Sequence, residues 1–118
     1  MLQSLRGVWK AVYVCHAFGS DPAGNAVSVR RACRALAEAG HLPLAPQLLF
    51  PDFLDEAMER DQALRLCLKL VALSDEVRVF GTVTEGMHLE ITEARRLGIP
   101  VVAGDHEGEM SLTGEPPR

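Results

Sequence analysis

The sequence is poor in the residues that mark a specialised class. Its 118 residues hold three cysteines, one tryptophan and one tyrosine. Cys15, Cys33 and Cys67 are odd in number, far apart and without a CxxC pair, so no metal site is expected. They read as reduced, mostly buried thiols of a cytoplasmic protein. There is no excess of positive charge. A net charge of −4 argues against a partner that is a nucleic-acid polymer or an anionic membrane. No apolar run approaches the length of a membrane span. Residues 1–9 carry Arg6 but no sustained apolar core, so a secretory leader is not expected. Internal repeats, low-complexity tracts and inner linkers are absent. The first glycine-bearing loop has Gly19 and Gly24 but lacks GxGxxG spacing, and no P-loop occurs, so no cofactor is expected.

An apolar share of 47% with 24% charged residues leaves one globular domain with a single core. Lys10 to Cys15 alternates as a strand, with Val12 and Val14 set against Ala11 and Tyr13, which reads as packing. His16 to Asn25 is a loop of turn residues. A helix from about Ala26 to Ala39 follows, with Asn25 as cap, Val29, Ala32, Cys33, Leu36 and Ala37 on one face, and Gly40 as stop. His41 to Ala45 is a short second strand, and Pro43 and Pro46 suit a sheet edge. After a loop over 47–55, the longest helix is expected from about Glu56 to Leu73. Its stripe is Ala63, Leu66, Leu70 and Leu73, with Cys67 inside it. Glu56, Glu59, Arg60 and Asp61 read as its solvated first turns. Asp105 to Arg118 has few large apolar residues and reads as a flexible tail to a domain over 1–104.

The segment Glu76 to Val102 reads strand, turn, helix, strand. Val77, Val79 and Phe80 form the strand, Gly81 to Thr84 the turn, and Thr84 caps a helix that Gly98 ends. The resulting β-α-β-α-β-α-β order implies a parallel sheet with helices on both faces and right-handed crossovers. Ligands in such sheets sit beyond the carboxyl ends of the strands, so the loops at 16–25, 46–55 and 81–86 converge on one crevice. Both the first loop and Thr84–Glu85–Gly86 open onto helix N-termini, where free amides favour anions. His16 directly follows the first strand at that end. His41 and His88 read as surface residues.

Glu90 is the informative residue. On the third helix, Met87, Ile91, Ala94 and Gly98 share a face, and Glu90 lies near its centre beside Leu97. A carboxylate on a packed face needs a partner, a raised pKa or a role. Either a backbone amide or Arg95 binds it, or it works in the crevice.

The segment from Ser74 to Val102 resembles the signature of the nucleoside 2-deoxyribosyltransferase-like superfamily. The matching parts are Ser74-Asp75, the strand to Gly81, Thr84, Gly86, Glu90, Ala94 and Gly98-Ile99-Pro100-Val101. The resemblance runs over about residues 10–103, and its front half looks most like small bacterial and phage members. It implies a Rossmann-like (flavodoxin-like) three-layer α/β/α sandwich with a four- or five-stranded parallel sheet. It also implies binding of a nucleoside or nucleotide, with Glu90 as the nucleophile that attacks C1′ and displaces the base. The activity implied is N-glycosidic bond hydrolysis or 2-deoxyribosyl transfer on (deoxy)nucleoside 5′-monophosphates. Thr84 stands where the superfamily senses the sugar's 5′ end and suits a phosphate.

Phe18, Gly19, Asn25, Pro46, Gly81, Glu85, Gly86 and Met87 complete the implied substrate-binding set. A homodimer or higher oligomer is implied, with a neighbour completing the pocket. One departure concerns the acid that protonates the leaving base. Cys67 stands in its place, Asp61 could serve only under a different helix placement, and His16 is the candidate stand-in. The alternative is a non-catalytic sensor of a nucleotide-derived ligand.

Overall fold

The computed structural model describes residues 9–19, 21–55 and 58–104. The expected tail, the lead-in over 1–8 and Glu56 lie outside them. The elements are β1 (Ala11–Cys15), α1 (Pro22–Glu38), β2 (Leu42–Leu44), α2 (Arg60–Ala72), β3 (Glu76–Val79), α3 (Glu85–Arg96) and β4 (Val101–Ala103). Two short 3-10 turns, Pro46–Leu48 and Phe50–Asp52, connect β2 to the segment before α2. The sheet is parallel throughout, with four strands in the order β2-β1-β3-β4 among the described residues. It is the expected α/β architecture.

The alternation of β1 divides the core. Val12 and Val14 face α1, where they meet Val29, Ala32, Leu36 and Phe80. Tyr13 and Cys15 face the other way, toward Val71 of α2 and Met87, Ile91 and Ala94 of α3. One helix therefore covers one side and two cover the other, as right-handed crossovers require when the chain moves first to β2 and then back across β1 to β3. The reversal between β1 and β3 opens the crevice.

Asp75 sets the register between those two strands. Its carboxylate accepts the Ala11 N–H at 2.8 Å, and its own N–H donates to the Ala11 carbonyl at 2.8 Å. Ser74 Oγ turns back to the Val71 carbonyl at 2.7 Å and closes the end of α2. At the far end of the sheet, Gly104 donates to the Val79 carbonyl, and the Phe80 ring lies against its Cα. Any side chain at 104 would collide with that ring, so Gly104 is required by close approach rather than by dihedral angles.

Several boundaries differ from the sequence reading. Helix α1 begins at Pro22, not Ala26, and its cap is Asp21, whose carboxylate accepts the Gly24 N–H at 3.2 Å. Proline at the first helical position suits that start. Asn25 is inside the helix. Helix α2 begins at Arg60, four positions after Glu56, with Glu59 as an N-cap that makes no side-chain capping bond. Leu73 is 75% exposed, and Val71 takes the buried place expected of it. Leu97 is likewise 40% exposed, because α3 ends there and Gly98 turns the chain at φ +76°. Ala37, expected on the packed face of α1, is exposed. His41 is not a plain surface residue, since its Nδ1 accepts the Lys10 N–H at 3.1 Å.

Candidate functional site

A cleft of about 500 Å³ opens beyond the carboxyl ends of β1 and β3. The segments after β1 and β2 and the three helices build its walls. Beyond β1 it is lined by His16, Ala17, Phe18, Gly19 and Pro22; beyond β2, by Pro46 and Gln47. Helix α2 contributes Arg60 and Cys67, and the start of α3 gives Thr84, Gly86, Met87 and Glu90.

The wall after β1 is held from two sides. Gln47 Nε2 donates to the His16 carbonyl at 2.7 Å, and Asn25 Nδ2 donates to the Phe18 carbonyl at 3.1 Å. Asn25 therefore supports the cleft without lining it. The Nδ1–H of His16 donates to the Ala17 carbonyl at 2.8 Å, which leaves Nε2 as the nitrogen able to act on a ligand. The N-terminus of α1 is not an open anion site. The Asp21 carboxylate already occupies it, accepting the Gly24 N–H.

The start of α3 is arranged differently. Thr84 Oγ1 accepts the Met87 N–H at 3.3 Å, while the Thr84 N–H points at the Met87 sulfur at 3.4 Å. This leaves the Thr84 hydroxyl proton for an acceptor in the cleft. The amides of Glu85 and Gly86 are first-turn donors with no intrahelical carbonyl to meet. The side chain of Glu85 is exposed and outside the lining. Gly81 is outside it too; its φ of +76° turns the chain from β3 toward α3. A Cβ at Gly86 would meet nothing within 4 Å, so that face of the cleft is open space.

Glu90 lies one turn deeper. Neither a backbone amide nor Arg95 binds it. Instead the Cys15 thiol, wholly buried at the end of β1, donates to Oε1 at 3.4 Å. The Tyr13 hydroxyl, also wholly buried, lies near enough to act on Glu90 and Cys67 but makes no hydrogen bond of normal geometry. Burial pushes the Glu90 carboxyl up to about 7, and contacts with the Cys15 thiol and the Tyr13 hydroxyl only partly offset it. The same burial, reinforced by the Glu90 charge, raises both Tyr13 and Cys15 well above their ordinary values. Both keep their protons here and are not anions. A carboxyl at about 7 is split between its two protonation states at neutral pH, which suits a group that must be both charged and poorly solvated. Among the described residues no cluster of metal-ligating side chains occurs.

Of the residues singled out in the sequence, the structure brings Glu90, His16, Phe18, Gly19, Pro46, Thr84, Gly86 and Met87 to one cleft. Sequence reasoning missed Gln47, Arg60 and Tyr13. Arg60 is the arginine of the wall, not merely part of a solvated turn. Tyr13 packs as expected, but its hydroxyl belongs to the site. Cys67, read as core, reaches the cleft.

A family model described as a domain of unknown function, DUF7768, matches residues 10–103. The chain belongs to that family. No curated protein matches the DUF7768 chain. Among solved structures, a 2-deoxyribosyltransferase from Bacillus psychrosaccharolyticus is similar at a TM-score of 0.62 and 20% identity, covering 90% of this chain and 75% of that one. A 2-deoxyribosyltransferase from Leishmania mexicana is similar at a TM-score of 0.60 and 13% identity, covering 80% of this chain and 63% of that one. The DUF7768 domain thus spans less than two thirds of the Leishmania protein. At these identities the likeness is one of fold. No helix among the described residues is long and apolar enough to cross a membrane.

Proposed function

We propose that the cleft binds a nucleoside or nucleotide and that Glu90 cleaves its N-glycosidic bond. The observation that carries this reading is a partly buried carboxyl, met by the Cys15 thiol, on the wall of a cleft at the switch point of the sheet. A carboxylate oxygen of Glu90 attacks C1′ of the sugar. The C1′–N bond breaks, and its electron pair leaves with the base, which takes up a proton. Water or a second base then attacks C1′ and gives up a proton to the neutral His16 imidazole, the C1′–O bond to Glu90 breaks, and the Glu90 carboxylate is regenerated. The preferred substrates are (deoxy)nucleoside 5′-monophosphates. The Thr84 hydroxyl and the free amides at the start of α3 suit a phosphate, and Arg60 adds positive charge to the cleft.

His16 is the proposed proton donor to the leaving base. Its Nδ1–H is engaged by the Ala17 carbonyl, so only the imidazolium form carries a proton on Nε2. Among the described residues, Glu90 is the single carboxylate of the lining, which leaves no second acid for the task. That same fact favours a second reading, in which the cleft senses a nucleotide-derived ligand without turning it over.

Incubation with each common deoxynucleoside 5′-monophosphate, followed by chromatography for free base, separates the two. Release that is lost in Glu90→Ala and kept in Leu89→Ala, on the outward side of α3, supports cleavage. Tight binding with no release from any of them supports the sensor. Gly86→Leu tests the location. The fold should tolerate it, because the position is helical and open and leucine is the better helix former by about 0.5–1 kcal/mol. Nucleotide affinity by titration calorimetry should fall at least about tenfold, since the side chain would occupy ligand space. Unchanged affinity would place the ligand elsewhere. The reading also carries a homodimer or higher oligomer in which a neighbour completes the cleft. A light-scattering mass of one chain would count against it.

A further inference from the structure

The Glu90 carboxyl rests on a thiol with two possible acceptors. Cys15 Sγ lies 3.4 Å from Glu90 Oε1 and 3.9 Å from the Met87 carbonyl oxygen. Both acceptors belong to α3, and Cys15 closes β1, so this contact ties the reacting carboxyl to the centre of the sheet. A thiol has one proton and can serve one acceptor fully at a time. An ionised carboxylate attracts that proton more strongly than a carbonyl does. A protonated or esterified carboxyl attracts it less.

We propose that Cys15 is a positioning residue for Glu90. Its thiol holds the carboxyl by Oε1, leaves the other oxygen for the cleft, and turns to the Met87 carbonyl when Glu90 loses its charge. The other titratable groups around the carboxyl are Tyr13 on β1, Cys67 and Arg60 on α2, and His16 after β1. Of these, Tyr13 is the one that joins Cys15 in acting directly on Glu90, and neither it nor Cys15 is charged in the site.

The choice of sulfur has a consequence. A thiol is a weak donor, so it orients the carboxylate while stabilising its charge only slightly. A hydroxyl at the same place would stabilise the charge more and leave a less reactive anion. The effect on rate rests on the reading of Glu90 as nucleophile; the effect on its protonation does not.

The test is a carbon-13 carboxyl NMR titration of the full chain and of Cys15→Ser and Cys15→Ala, with the Glu90 signal assigned by its loss in Glu90→Gln. The midpoint of Glu90 should fall in Cys15→Ser and rise in Cys15→Ala, by about half to one pH unit each. The rising limb of base release against pH should move the same way. A merely structural cysteine would change stability and leave the midpoint in place. Midpoints equal to that of the unmodified chain overturn the proposal. If Cys15→Ala fails to fold, the near-isosteric Cys15→Ser decides alone. Shifted midpoints in a chain that releases no base would uphold the role of Cys15 and remove the proposed activity instead.

Discussion

Glutamine at position 90 is expected to reduce base release by about 10³-fold or more while leaving the fold intact. The substitution is nearly isosteric. It keeps an oxygen that can accept from the Cys15 thiol at the same place. It removes the charge that must attack C1′. In the unmodified chain, release should rise through a midpoint near the Glu90 value of about 7, because only the ionised carboxyl is nucleophilic. One pH unit below that midpoint, on the rising limb, the rate should be roughly a tenth of what full ionisation of Glu90 would allow. Acid quenching during turnover and mass spectrometry of the peptide containing Glu90 should reveal the sugar attached as an ester. A Glu90→Gln chain that releases base within tenfold of the unmodified one would end the proposal.

The same substitution should make the protein more stable in alkaline solution. The folded-state value of Glu90 is raised from 4.5 to about 7, so folding favours the protonated form. The stabilising contribution is complete below the unfolded value and is lost as pH rises through the folded one. Above about pH 8 both states carry the charge, poorly solvated in the native state and well solvated in the unfolded chain. The difference corresponds to about 3 kcal/mol. Glutamine carries no such charge. Unfolding free energies from urea titration of Glu90→Gln and the unmodified chain should therefore nearly coincide at pH 4.5 and separate by up to about 3 kcal/mol at pH 8.5, with the variant the more stable. Equal stability at the higher pH would mean that Glu90 is better solvated than its surroundings indicate. Loss of activity with gain of stability at one position is the expected mark of a group kept for chemistry.

The sequence made the architecture legible because its signals were local and repeated. Strand alternation over Ala11–Cys15, the Thr84 cap and the Gly98 stop each rest on a few adjacent residues. The placement of Glu90 on the inner side of α3 followed from helical spacing alone. The start of α1 was also readable in Asp21–Pro22, a capping acid followed by the residue that best opens a helix, but Asn25 competed for the same role. The start of α2 had no comparable signal, since Glu59 makes no side-chain cap.

The site was less legible because its floor is a tertiary product. The spacing of β1 shows that Tyr13 and Cys15 face one way, yet not that α3 will lay a carboxyl over them. Gln47 and Arg60 reach the cleft through the turns after β2, whose path no periodicity encodes.

The ion pairs around Glu76 bear on a different problem. Helix α1 packs on β1 and β2, while the same side of β3 and β4 presents Glu76, Arg78 and Val102. Glu76 is only 5% exposed and meets Arg78 and Lys10, whose Nζ is 2.8 Å away. Burial alone would raise its carboxyl, but hydrogen bonds from these two cations hold it below the ordinary range. Charge therefore occupies a stretch of sheet that would otherwise be flat and greasy. Paired charges at that place oppose sticking to the β3–β4 face of another copy, which an apolar stretch there would favour.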